Sequence, residues 1–471
     1  MKYSYLIIFA ALLGFSSCKK FLDVRPKTQI DGAVAFSDEQ GFMDALTGVY
    51  LKMNDNELYG KELGFGLTEV LAKQHTRFNS TFHEYYQASL YNYLNAEVRS
   101  KIDGIWLNMY GTIANNNNLL TQLNTVDKRI FRDNNYNVIK GEALGLRAML
   151  HFDLLRLFAP APASAGGATQ KAIPYPDRLT ADVFPQLTVT EVLAKIQADL
   201  DSAANLLKAV DPIVATNNIA EEGFLRDRRF KFNYYAVRSL QARAYLYAGN
   251  KEKALEYARE VINANVFNWA SPAQLSAGDR ARFSELSFCL YKSDLAPSFT
   301  TYFLPAAGAT NLLTRSGDSE FLNVFGTSAD ARYTYLTAFD NVTQLRYSLL
   351  IQQNTAGAAA YLNRLPVMRV SEMYYIAAEC LSNSDMASAV EYVNIIRRAR
   401  NLPDDLPATL TTEELQFELF KEYRKEFYCE GQLFYYYKRR NSATIEGATI
   451  TADNSIYVLP LPDDEVVYGN R

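Results

Sequence analysis

Asn233–Ala248, NYYAVRSLQARAYLYA, places Tyr234, Val237, Leu240, Ala244 and Tyr247 at intervals of three and four residues. That spacing lays them along one stripe of an α-helix, because 3.6 residues complete a turn. Gly249-Asn250 ends the helix, since both residues tolerate the left-handed backbone that closes helices. The period resumes from Glu252 to Ile262, with Ala254, Leu255, Ala258, Val261 and Ile262 on the apolar side. The same arrangement returns at Val370–Leu381, a turn at Asn383-Ser384-Asp385, and Met386–Arg398. Each pair leaves an apolar face that only another pair can cover, so more pairs are expected.

Working outward, Ile105–Leu123 and Glu142–Phe158 read as another pair, separated by an irregular stretch. Thr188 with Glu191, and Thr411 with Glu414, have the spacing of a capping box. They open helices over Val189–Leu207 and Leu415–Tyr428. Two helices joined by a short turn, with alanines at their crossing, resemble a tetratricopeptide unit. The fold class expected is therefore all-α dominated, built from such helix pairs. Between helices lie the Pro- and Ala-rich Ala159–Pro176 and a long irregular span, Phe267–Pro366, dense in Gly, Thr, Asn and Tyr. Long loops in a helical protein carry function or wrap its surface. The span lacks a linker's composition, so residues 18–471 read as a single interleaved domain.

Residues 1–17 have a different character. Lys2, an apolar run from Tyr5 to Phe15, then Ser16 and Ser17 make a secretory signal too short to span a membrane. FSSC (Phe15–Cys18) resembles a bacterial lipobox, which implies lipid attachment at Cys18 and a chain tethered outside the cytoplasm. With 21% charged residues, a net charge of −4 and no basic block, the chain lacks the cationic face that nucleic acid needs. Cys289, Cys380 and Cys429 sit in apolar settings and read as buried free thiols.

Taken together, the chain resembles the SusD/RagB-like family of Bacteroidetes outer-membrane lipoproteins. CKKFLDVRP (Cys18–Pro26) matches the family's C-x-x-F-L-D-x-x-P opening. EALGLRAMLHFDLLRLF (Glu142–Phe158) is similar to its A-x-x-x-R-A-x-x-x-F-x-L-x-x-x-F-G helix, with Ala159 in place of the final Gly. RVSEMYYIAAE (Arg369–Glu379) and VNIIRRAR (Val393–Arg400) follow. Glu422, Glu426, Glu430-Gly431 and Lys438-Arg439 fall on its E-R-x-x-E-L-x-x-E-G-x-R-x-x-D-L-x-R pattern. There Tyr423, Gln432 and Tyr435 replace Arg, Arg and Asp, so a charge network has to be rebuilt. YVLPLPDDEVVYGN (Tyr457–Asn470) is similar to the closing Y-x-L-P-I-P-x-x-E-x-x-x-N. The resemblance implies about four tetratricopeptide-like units in a right-handed superhelical scaffold and an irregular ligand-facing half. It also implies a TonB-dependent, SusC-like outer-membrane transporter as partner and an oligosaccharide or peptide ligand.

Catalytic and metal signatures are sparse. The histidines His75, His83 and His151 fit no zinc spacing, and no two cysteines lie close in sequence, so no metal or cofactor is expected. G-x-S-x-G and P-loop patterns are absent. Glu426 and Glu430 stand one helical turn apart in a segment rich in Arg and Lys, which points to ion pairing before acid–base work. Binding is carried instead by polar aromatics, since sugar C–H faces lie on rings while Arg, Asn and His bond hydroxyls. Two clusters qualify: His75, Arg77, Asn79, Tyr85, Tyr86 and Tyr91; and Tyr302, Arg315, Tyr333 and Tyr335. Trp269 is the next candidate. The reading is an oligosaccharide-binding surface lipoprotein without catalysis; a peptide binder of the same fold and a glycan-cleaving enzyme are the alternatives.

Overall fold

Many helix starts fall where a side chain can satisfy an otherwise unpaired amide. Thr188 and Thr411 each form a reciprocal capping box, with Glu191 and Glu414. Asn233 and Asn250 cap the two helices of the central pair. The computed structural model describes residues 35–469 except 79, 215–222, 307 and 354–360. Cys18, the signal segment and Asn79 lie outside the described residues.

In chain order the helices that frame the fold are α1 (Glu39–Met53), α2 (Ala96–Thr125), α3 (Asn135–Phe158), α4 (Val189–Leu207) and α5 (Tyr234–Tyr247). They continue as α6 (Lys251–Asn263), α7 (Val370–Leu381), α8 (Met386–Ala399), α9 (Thr412–Glu426) and α10 (Leu433–Arg439). From α1 to α8 each helix packs on the next, including α6 on α7 across the long span between them. Every helix thus covers the apolar face its predecessor leaves, and the fold is helix-dominated as expected.

α3 is buried on all sides. Two glycines on it admit close neighbours. A Cβ at Gly145 would stand 2.4 Å from Cδ1 of Phe232, and one at Gly141 would stand 2.7 Å from Cγ of Leu207. Lys438 of α10 then ties the end of α3 to the C-terminal segment. Its buried Nζ donates to the carbonyls of Arg156 at 2.5 Å and Tyr457 at 2.6 Å.

Strands come in antiparallel pairs: β1 (Lys171–Pro174) with β2 (Gln186–Thr188), β3 (Leu286–Tyr291) with β6 (Arg364–Arg369), and β4 (Thr337–Asp340) with β5 (Leu345–Ser348). Four of these strands lie within or at the end of the span read as irregular. That span also folds into short helices at Pro272–Ser276, Leu295–Tyr302, Asp318–Phe325 and Ala331–Leu336. Elements of four to eight residues are too short to declare a period in sequence. The main apolar core runs from Phe42 to Leu459, beside two small clusters around Leu275 and Leu286. Cys289 and Cys429 are buried free thiols, and Cys380 is a half-buried one. Among the described residues, no helix is long and apolar enough to cross a membrane.

Candidate ligand-binding cleft

The two aromatic clusters meet in space. Backbone amides of Thr76 and Arg77 donate to the Thr314 carbonyl at 3.0 and 3.2 Å. His83 Nε2 lies 3.3 Å from the Leu312 carbonyl, and Arg315 donates to the Gln74 carbonyl at 2.7 Å. The junction is nonetheless mostly interior. His75 is fully buried with Nε2 3.1 Å from the Phe65 carbonyl, and burial pushes its imidazole down to about 3. Tyr85 is fully buried with its hydroxyl on Glu62 at 2.9 Å. Arg315 and Tyr333 are buried as well. The Tyr333 hydroxyl donates to Asp318 at 2.9 Å, and its ring lies 4.0 Å below the Arg346 guanidinium. A stacking platform has to be reachable, and these four side chains are spent on packing. Arg77, Tyr86, Tyr91 and Tyr302 are half-buried. Of these, Tyr91 donates to the Leu71 carbonyl at 2.9 Å, and Tyr302 accepts from Lys61 at 3.3 Å.

Tyr335 has a different setting. It is half-buried and lines an open cleft of about 660 Å³ together with Trp269. Trp269 and the helix Pro272–Ser276 form one wall, Ala331, Thr334 and Tyr335 another, and Ile395, Arg398 and Asn401 the third. Rings and aliphatic carbons thus alternate with a hydroxyl, an amide and a guanidinium, the mixture that polar ligands with apolar faces require. Arg398 is held at the rim by Asp405 at 2.6 Å, and Asn401 donates to the Ala329 carbonyl at 3.2 Å. A second cleft, about 410 Å³, opens beside Trp106, Tyr110, Phe184 and Tyr468. Trp106 is buried there against Phe158, with ring centroids 4.8 Å apart.

Beneath the first cleft lies a buried ion network. Glu426 accepts from Arg282 at 2.8 Å, Arg332 at 2.9 Å and Arg400 at 2.6 Å. Arg400 also clasps Glu285 at 2.8 Å, and Arg369 clasps Glu430 at 2.9 Å. Burial alone would raise Glu426, but Arg282, Arg400 and Arg332 hold it well below the usual carboxylate range. Burial would likewise raise Glu422, and Arg332 with Lys425 brings it down to about 2. The network reaches the cleft walls directly. Glu285 accepts from the Ala270 amide at 2.9 Å, the Ala331 amide donates to the Arg400 carbonyl at 2.9 Å, and the Arg400 guanidinium lies 5.4 Å from the Trp269 ring. Three chain segments far apart in sequence are thereby fixed around one opening.

Two family models match the chain. One, described as starch-binding associating with outer membrane, covers residues 20–226; the other, of the SusD family, covers residues 327–466. The chain belongs to the SusD/RagB-like family. A SusD superfamily protein from Bacteroides vulgatus is similar over 92% of this chain and 97% of its own, with TM-score 0.72 and 20% identity. A SusD-like carbohydrate binding protein from the same species gives 0.71 and 18%, covering 92% and 96%. A SusD superfamily protein from Bacteroides thetaiotaomicron gives 0.71 and 22%, covering 92% and 98%. At these identities the likeness is one of fold. Among curated proteins, none matches the sequence.

The SusD/RagB-like motif at residues 422–439 departs from its pattern in ways the structure accounts for. Arginines facing Glu422 and Glu426 come from Arg282, Arg332 and Arg400, outside the motif. Gln432 accepts from Arg156 at 3.2 Å, and the Tyr435 ring lies 3.6 Å from the same guanidinium. Of the two clusters suggested by the sequence, only the second reaches the larger cleft, through Tyr335, together with the next candidate Trp269. The reading did not single out Ile395 and Arg398 on α8 or Asn401 just beyond it, because an ordinary amphipathic helix and its closing turn carry no signal that a cleft lies above them.

Proposed function

We propose that this chain captures oligosaccharides in the cleft of Trp269 and Tyr335 and delivers them to a TonB-dependent outer-membrane transporter. In this reading residues 1–17 are removed, residues 18–471 form a single domain, and acyl chains on Cys18 hold it at the outer membrane. The cleft carries the proposal: two reachable rings and three polar side chains face one opening, backed by a rigid ion network. Support comes from the family description, starch-binding associating with outer membrane, and from the fold neighbour described as a SusD-like carbohydrate binding protein. Binding proceeds without turnover. Glu422, Glu426 and Glu430 are buried and bound to arginines, so they offer no reachable acid–base pair.

Calorimetry of the full chain against a panel of oligosaccharides and peptides tests this. An oligosaccharide is expected to bind without release of new reducing ends. Trp269→Ala and Tyr335→Ala should each weaken binding by ~1–2 kcal/mol, because a stacking surface is lost. Peptide binding alone would move the reading to the peptide-binding branch, and undiminished affinity in both variants would remove the cleft from it.

A further inference from the structure

Glu69 is the exception among the interior carboxylates. Every other buried Asp or Glu among the described residues has an arginine or lysine nitrogen at ion-pairing distance. Glu69 is fully buried and has none within the described residues. Its two oxygens accept only backbone amides, from Cys429 at 2.7 Å and Gly431 at 2.9 Å. Beside it lies His75, whose Nε2 faces the Phe65 carbonyl and therefore carries the proton. The opposite nitrogen, Nδ1, is left as a bare lone pair, buried and without a partner. The third neighbour is the thiol of Cys429. The donor atoms of these three side chains lie within 4.8 Å of one another.

We infer that Glu69, His75 and Cys429 bind one transition-metal dication of the zinc type, a site unconnected with the ligand cleft. Thiolate, imidazole and carboxylate together select a borderline-soft ion such as zinc over calcium or magnesium, which prefer all-oxygen shells. On binding, the Cys429 thiol, and the Glu69 carboxyl where it is protonated, give up their protons to solvent, and the sulfur and the carboxylate take the metal. Thiolate and carboxylate then cancel the dication's charge, so the buried unit is neutral, unlike a lone buried carboxylate. The Phe65 carbonyl acts as the outer partner that fixes the imidazole's tautomer and orientation. Ser348 places its hydroxyl against the Cys429 sulfur, where it can support a thiolate. Metal–ligand bonds of roughly 2.0–2.3 Å put donor atoms about 3.3–3.8 Å apart, so the widest pair closes by roughly 1 Å. The neighbouring cation, Arg315, is turned to the carbonyls of Lys73 and Gln74 and pins the backbone that presents His75. Glu69 and Cys429 are 360 residues apart, so the ion clasps the N-terminal part of the fold to the junction between α9 and α10.

The test is metal content after unfolding and refolding the full chain with zinc or cobalt chloride, then desalting. One zinc per chain is expected, with a thiolate-to-metal charge-transfer band in the cobalt form and a Tm above that of protein refolded with chelator. Cys429→Gly removes the ligand at a position whose φ of +66° glycine adopts without strain, so this variant should fold. Glu69→Gln keeps the shape and removes the charge. Both should lose the zinc and the Tm difference. A wild-type chain that refolds without retaining metal would overturn the site, and so would zinc retained equally by Cys429→Gly.

Discussion

His151 shows what burial does to a single side chain. Its Nδ1 lies 2.8 Å from the Arg147 carbonyl, its ring stacks on Tyr175 at 3.7 Å, and its Nε2 has no partner. Burial, with Arg147 and Lys195 nearby, pushes the imidazole from 6.5 down to about 3. The unfolded chain therefore takes up a proton that the folded chain refuses, and stability falls as pH drops from 6.5 toward about 3. Above pH 4.5, where unfolded carboxylates are still ionised, wild type should lose up to ~1.4 kcal/mol per pH unit more than His151→Gln. Urea unfolding at a series of pH values measures that difference. Gly431 gives a sharper case. Its φ is +72°, and a Cβ there would stand 2.2 Å from the Leu63 carbonyl. Gly431→Ala should cost about 2–5 kcal/mol by denaturant titration, combining a left-handed alanine with a backbone clash. Both residues were legible as parts of family motifs, but their reasons were not. A histidine on a helix does not announce that it is sealed, and a glycine does not name the carbonyl it avoids.

At the scale of elements, helices were readable and short strands were not. The stripe of Tyr234, Val237, Leu240, Ala244 and Tyr247 and the flanking Asn233 and Gly249 mark α5 within a residue at each end. The capping box at Thr188 did the same for α4, whereas α9, read as Leu415–Tyr428, starts directly after its Thr411 cap and ends at Glu426. What periodicity cannot show is how closely neighbours approach. Gly145 of α3 admits the Phe232 ring, and Ala244 and Ala378 are fully buried in α5 and α7. Gly145→Val, Ala244→Phe and Ala378→Phe should each lower stability by ~1–3 kcal/mol or more, since packed helices must part to admit the added atoms. Unchanged melting temperatures would show that these contacts tolerate bulk and that the helix register is wrong. The interior members of the aromatic clusters were hard to tell from reachable ones for a related reason. A tyrosine between helices reads the same whether its hydroxyl meets solvent or, as in Tyr85 and Tyr333, a carboxylate of the chain itself. The cleft of Trp269 and Tyr335 depends on three segments meeting, which no single window of sequence contains.

At the scale of the whole molecule, the proposed anchor at Cys18 and the described body can be tested separately. Among the described residues, the apolar core starts at Phe42, with Phe36 packed against it. No helix among the described residues is long and apolar enough to cross a membrane. The sixteen residues between Cys18 and Ala35 could reach at most roughly 55 Å if fully extended. The proposed acyl chains therefore act on location alone. Each buried CH₂ contributes ~0.8 kcal/mol, and two or more chains hold a protein stably while one holds it marginally. Cys18→Ala is expected to abolish incorporation of labelled fatty acid and to move the chain from the membrane to the soluble fraction. Its Tm and its affinity for oligosaccharide should match those of wild type, because the described cleft and core draw on residues far from Cys18. A variant that stayed in the membrane fraction without label would place the attachment on the folded body, whereas one that lost its affinity would tie the anchor to the cleft.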